Sequence, residues 1–188
     1  ESNRENQEEI DTILEQTEKL DFLIQSLVKL SRMESGIIAV HPEKIGTRQL
    51  LESVRQQFIE KAREKNITLG VCNTDLYVIC DLKWTAEALG NIVDNAIKYT
   101  PGGGTVQLKV EKYSSFVKID VIDNGIGIEK EEIPKIFGRF YRSLSVADQP
   151  GVGVGLFLAR EIIQAQKGYV KVKSEIGKGS TFSVFLPV

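Results

Sequence analysis

Apolar residues recur along this chain with two periods, and each predicts a different kind of element. From about Arg4 to Glu34 they follow a heptad. Ile10, Thr17, Ile24 and Ser31 lie on one seam, and Ile13, Leu20 and Leu27 on the next. Leu14, Leu23, Val28 and Leu30 widen the stripe, which suits a helical bundle better than a two-stranded coiled coil. Gly36 is placed to stop this helix. Ile37 to Val40 predicts a short strand. Thr47 reads as an N-cap for a helix carrying Leu50, Leu51, Val54, Phe58 and Ala62. Ile67, Leu69 and Val71 alternate as a strand, and Tyr77 to Cys80 predicts another. Val106–Val110 and Val117–Val121 flank a polar turn near Ser114 and read as a hairpin. Gly155 to Gln166 predicts a helix, and Tyr169–Lys173 and Thr181–Leu186 predict closing strands. The order lacks a strict strand–helix–strand rhythm. The expected fold is therefore an α/β (α+β) two-layer sandwich, a mixed sheet with helices on one side, preceded by a long helix.

The helix capped by Asp81 has an unusual polar face. At about 100° per residue, Asn91, Asn95 and Lys98 fall within about 60° of one another. Leu89, Ile92, Val93, Ala96 and Ile97 cluster opposite. Amide oxygens can ligate a hard cation such as Mg²⁺, and a lysine can hold phosphate oxygens. Taken alone, the same face also fits an ordinary solvated surface.

Composition narrows the picture. Charged residues make up 27% of the 188 and apolar ones 41%, as in soluble domains. A net charge of −2 gives no electrostatic case for nucleic acid. No apolar run approaches the ~20 residues of a membrane span, and no signal peptide is visible. The chain opens on Glu1 without methionine, which suggests a fragment of something longer. Cys72 and Cys80, expected on neighbouring strands, read as small apolar core residues rather than a disulfide. With a single histidine, the two cysteines do not make a zinc site.

Three glycine-rich runs complete the pattern: D-N-G-I-G-I at Asp123–Ile128, G-V-G-V-G-L at Gly151–Leu156 and G-K-G-S-T-F at Gly177–Phe182. Asp123 ends an apolar strand, where a carboxylate is costly unless a donor meets it. Gly151, Gly153 and Gly155 open a helix near Leu156, whose free N–H groups attract anions.

With N-I-V-D-N-A-I-K-Y at Asn91–Tyr99, these elements resemble the ATP-binding catalytic domain of sensor histidine kinases, in the GHKL ATPase superfamily. The likeness covers essentially the whole chain. Asn91–Tyr99 looks like the N box, Asp123–Ile128 the G1 box, Ile136–Arg142 the F box and Gly151–Leu156 the G2 box. The segment E-K-L-D-F-L-I-Q-S-L-V-K-L-S-R-M-E-S-G resembles the second helix of the family's dimerisation and phosphotransfer hairpin. Two parts are thus implied: 1–36 as that partial hairpin and 37–188 as the catalytic domain.

The resemblance also implies roles. Asp123 accepts a hydrogen bond from the adenine amine, while Gly125 and Gly127 let the backbone pass close to the base. Tyr99 lines the pocket and Thr181 supports water around adenine. Gly151, Gly153, Gly155 and Leu156 receive phosphates. Asn95, helped by Asn91, holds Mg²⁺. Lys98 and Arg142 hold phosphates, Arg142 reaching the γ-phosphate and Arg139 the lesser candidate. Asn91, Lys98 and Arg142 are thus the residues expected to act in catalysis. Ser143–Pro150 looks like the ATP lid, with Phe137 and Phe140 packing its base. The family often has leucine where Val154 stands here. Relatives that hydrolyse ATP carry glutamate at the Asn91 position to activate water, and an amide cannot accept that proton.

The family phosphorylates a histidine followed by an acidic residue on a helix. His41 precedes Pro42, which disfavours helix, so it reads as a connector residue. The phosphoacceptor helix is expected just before Glu1 in a parent protein. That parent would be a homodimer relaying phosphate to a response regulator, and this chain would be its cytoplasmic part beneath a membrane-bound sensor. The fragment is then expected to bind Mg-ATP without phosphorylating itself. Two rival functions stay open: a nucleotide-sensing interaction module without catalysis, and an ATPase.

Overall fold

A computed structural model of the chain describes residues 40–143, 146, 149 and 151–188, with scattered positions between 7 and 31. Every described position in that last stretch is helical. Ile10, Ile13, Leu14, Leu20, Ile24, Leu27 and Val28 of the predicted stripe are exposed. The helix stop at Gly36 and residues 37–39 of the first predicted strand lie outside the described residues.

Three helices follow the predicted apolar spacing: α1 (Thr47–Glu64), α2 (Leu82–Tyr99) and α3 (Gly155–Ala165). Each buries one stripe. On α2 this comprises Leu89, Ile92, Val93, Ala96 and Ile97, the apolar side opposite the asparagines. Burying each Leu or Ile contributes about 1.5–3 kcal/mol, far more than helix propensity does.

The strands are β1 (Glu43–Gly46), β2 (Thr68–Val71), β3 (Tyr77–Cys80), β4 (Thr105–Tyr113), β5 (Phe116–Asp123), β6 (Tyr169–Glu175) and β7 (Gly179–Pro187). Five form a mixed sheet in the order β2-β4-β5-β7-β6. The β2–β4 pair is parallel and the others are antiparallel. The hairpin β4–β5 turns at Ser114, whose φ of 54° is a turn conformation. Val117, Ile119 and Val121 of β5 and Val184 and Leu186 of β7 are buried in one core with the helices. The sandwich therefore has helices on one face, as predicted.

Three local expectations are corrected. Val40 is not in a strand; among the described residues the first strand is β1, which pairs antiparallel with β3 in a separate two-stranded sheet. Thr47 is not the N-cap. Gly46 holds that position, and the Thr47 hydroxyl instead donates to the Leu76 carbonyl at 2.9 Å and shares a bond with Thr74 Oγ1. The cysteines are not on neighbouring strands. Cys80 is buried on β3, whereas Cys72 follows β2 in the other sheet, and both are free.

The start of α2 is fixed from two sides. Asp81 Oδ1 accepts the Trp84 N–H at 3.1 Å and its Oδ2 accepts the His41 N–H at 3.0 Å. His41 itself lies outside any helix, in the connector. Buried Gln166, at the end of α3, accepts the Asp81 N–H at 2.6 Å and the Thr85 hydroxyl at 3.2 Å through Oε1. Its Nε2 donates to Ile162 O. Among the described residues, no helix is long and apolar enough to cross a membrane.

Candidate nucleotide site

A cavity of about 180 Å³ opens between α2, the loop after β5, the glycine-rich start of α3 and the first residues of β7. Asp123 stands at one end. It is only 8% exposed, and both of its protein hydrogen bonds go to Oδ1, from Gly125 N–H at 2.9 Å and Ser180 N–H at 3.1 Å. Oδ2 receives none from the described residues. Burial raises this carboxyl above its usual 3.8, while the two N–H donors oppose the shift. The site thus keeps one carboxylate oxygen fixed and the other open for a donor.

The polar face of α2 forms another wall. Asn91 Nδ2 donates to Glu87 O at 3.1 Å, one turn back. That fixes the amide and leaves Oδ1 toward α3, so close that a side chain at Gly155 would meet it at 3.0 Å. Gly153 adopts φ 74°, and a Cβ there would lie 2.6 Å from Tyr141 O. Only glycine suits this approach of loop to loop. Asn95 and Tyr99 continue the wall, and Asp94, just before Asn95, pairs with Lys61 of α1.

Lys98 stands at the edge of the cavity. Its Nζ lies 4.8 Å from the Tyr99 ring centre, and a Cβ added to Gly151 would come within 2.9 Å of it. Burial and the nearby Arg142 guanidinium push this ammonium below its usual 10.5. Arg142 Nη2 donates to Val146 O at 3.2 Å and to Gln149 O. Burial also raises the Tyr99 hydroxyl.

Ten of the residues singled out from sequence line the one cavity: Asn91, Asn95, Tyr99, Asp123, Gly127, Arg142, Gly151, Gly153, Gly155 and Leu156. Three do not. Gly125 sits behind Asp123 and Lys98 beside Gly151. Thr181 pairs with Ile122 across the sheet, and its neighbours Ser180 and Phe182 line the cavity instead. A strand alternates its faces, so a shift of one residue exchanges inside for outside. Phe137 packs edge-on against Phe182 as expected, with ring centres 6.4 Å apart. Phe140 does not pack; it is 52% exposed with φ 60°. Arg139 does not line the cavity, and its guanidinium stacks over Phe157 at 4.7 Å.

Sequence reasoning missed Ser180, whose backbone orients Asp123, and the pair Tyr141–Glu132. The Tyr141 hydroxyl donates to Glu132 Oε1 at 3.1 Å, and both residues line the cavity. Tyr141 lies inside the Ile136–Arg142 stretch, but Glu132 sits in a plain acidic stretch that carries no signal.

Among the described residues no group of three His, Cys, Asp or Glu is placed to hold a metal. The oxygens of α2 at the cavity are the amides of Asn91 and Asn95 and the carboxylate of Asp94, which Lys61 engages. Such a donor set fits Mg²⁺ arriving with phosphate oxygens and water, and does not fit an all-protein cage.

Residues 80–188 match the family described as Histidine kinase-, DNA gyrase B-, and HSP90-like ATPase. The chain is 34% identical over 173 residues to the sensor protein kinase PmrB of Pseudomonas aeruginosa. That match takes in 90% of this chain and 36% of PmrB, so the chain spans about a third of that relative. The catalytic domain of histidine kinase ThkA superposes with a TM-score of 0.68 at 28% identity, covering 78% of this chain and 95% of that domain. Full-length ShkA, solved with AMPPNP, shares the fold at TM-score 0.78 and 24% identity, over 89% of this chain and 35% of ShkA. The chain belongs to the histidine kinase-, DNA gyrase B- and HSP90-like ATPase family, on the branch of the sensor histidine kinase catalytic domains.

Proposed function

We propose that this chain binds Mg-ATP and transfers the γ-phosphoryl group to a histidine on a helix of a longer parent protein, in a two-component relay to a response regulator. The observation that carries the reading is Asp123: a buried carboxylate with Oδ1 saturated and Oδ2 open, in a cavity whose far wall is amide and glycine. Oδ2 accepts the exocyclic amine of adenine, and guanine, with a carbonyl at that position, is rejected. Tyr99 and Gly127 flank the base. The start of α3 offers N–H groups to the phosphates, with Lys98 and Arg142 adding charge. Mg²⁺ neutralises charge on the phosphate oxygens, and Asn91 and Asn95 are the side chains that would hold it.

In the transfer, an imidazole nitrogen forms the new bond to phosphorus as the bond to the bridging oxygen breaks and ADP leaves. The imidazole proton passes to an acidic neighbour on the acceptor helix. The catalytic domain contributes positioning and electrostatics. Residues 1–36 serve as the second hairpin helix, 37–188 as the nucleotide domain, and the parent is a homodimeric membrane sensor with this part in the cytoplasm. The ShkA complex with AMPPNP and the sensor kinase PmrB support the reading by likeness. Asn91, unable to take a proton from water, sets it apart from an ATPase.

Calorimetry with Mg-ATP tests the first half. Binding is expected in the wild type, with a loss of about tenfold or more in Asp123→Asn, whose amide turns a donor toward a donor. Undiminished binding by that variant would sink the assignment.

A further inference from the structure

Two stretches flank the phosphate end of the cavity, and they are separate in sequence. One is the run from Phe137 to Arg142; the other is the start of α3. They meet where Gly153 packs on Tyr141 and again at the ring of Phe157. The Arg139 guanidinium stacks over Phe157 at 4.7 Å, and the Arg160 guanidinium lies 5.5 Å from the same ring and 5.7 Å from Phe137. Phe137 in turn packs against Phe182 of β7. Phe157 is buried, whereas Arg139 is exposed. Two like charges on one ring repel each other, and the quadrupole of the ring offsets that repulsion. Arg160 Nε is moreover buried without a hydrogen-bond partner, so the rings and the Glu161 carboxylate at 3.6 Å compensate its burial. An arrangement this constrained needs a reason beyond filling space.

The ring sits two residues beyond Gly155, which abuts Asn91. Arg139 sits three residues before Arg142. The contact with Phe157 thus joins the stretch that leads into Arg142 to the first turn of α3.

We infer that Arg139, Phe157 and Arg160 form a cation–aromatic clasp that positions Arg142 against the phosphate-binding start of α3. The inference rests on the nucleotide reading given above. It makes Arg139 and Phe157 positioning residues, which touch no ligand. It also predicts that the clasp governs the phosphates and leaves the base end, at Asp123, alone.

The test compares Mg-ATP with adenosine by calorimetry on the whole chain, in Arg139→Met, Phe157→Leu and the double variant. Each single variant is expected to weaken Mg-ATP by about fivefold, the size of a partly desolvated cation–π pair, and to change adenosine binding by less than about twofold. The double variant is expected to bind Mg-ATP no more weakly than the weaker single, because one interaction is lost only once. Phe157→Tyr, which keeps the ring face, restores wild-type affinity. Additive losses would mean that Arg139 touches phosphate itself, and would overturn the clasp. Unchanged Mg-ATP binding, or equal losses for adenosine and Mg-ATP, would overturn it too. Should Phe157→Leu fail to fold, Phe157→Met, which keeps the bulk and loses the ring face, takes its place in the same cycle with Arg139→Met: non-additive losses uphold the clasp and additive ones overturn it. No Mg-ATP binding by the wild type is a distinct outcome, and it removes the nucleotide reading first.

Discussion

Burial holds the Asp123 carboxyl above 3.8, so ionising it is harder in the folded chain than in the unfolded one. A raised carboxyl destabilises the fold as pH climbs from 3.8 through the folded value, and the penalty is constant beyond that. Asp123→Asn is therefore expected to melt higher than the wild type at neutral pH, with the gain gone at about pH 3, where both states are protonated. Thermal melts across that range check it; a variant that melts lower at neutral pH would show that the Oδ1 bonds outweigh desolvation. Lys98 shifts the other way. Its ammonium is held below 10.5, so it loses its proton earlier on the alkaline side. Affinity for Mg-ATP should fall as pH rises on the alkaline side, before 10.5 is reached. Lys98→Arg, which stays protonated, should flatten the decline in a calorimetric pH series.

Among the elements, α2 and α3 carry the site together and are pinned at both ends. Gly155 meets Asn91 at one end, and Gln166 accepts from Asp81 and Thr85 at the other. Gln166→Leu would leave a buried N–H and a hydroxyl without their acceptor. A loss of about 3 kcal/mol in urea unfolding is expected, since each unpaired buried group costs about 1–3 kcal/mol. A loss within experimental error would show that water replaces the amide. The helices and the hairpin were legible in the sequence because their periods were long and unbroken. Strand β1 was not: E-K-I-G has no alternation, and it forms only because β3 pairs with it. Ser180 was missed in favour of Thr181 because which face a strand residue takes is set by register with β5, a non-local fact. The Gly46 cap was hidden for a similar reason, since the Thr47 hydroxyl is taken by Thr74 and Leu76 from a distant turn. Phe140 carries no local sign of exposure; its backbone at φ 60° turns it outward.

At the scale of the whole molecule, the site spans residues from Asn91 to Phe182. What made it readable was order and spacing of short motifs, more than any one of them. What stayed unreadable was side-chain pairing that no periodicity marks, such as Tyr141 with Glu132 and Arg139 with Phe157. The proposed phosphoryl transfer is tested at this scale. Mixing it with a separate helical hairpin bearing a histidine and γ-labelled ATP should place acid-labile label on the hairpin and none on this chain. Label on His41, or sustained release of free phosphate, would count against the proposal. The cap of α2 matters here as well. One carboxylate, Asp81, holds the first turn of α2 with one oxygen and the incoming chain at His41 with the other. A displacement of His41 thus reaches the root of the helix that bears the asparagines through a single side chain.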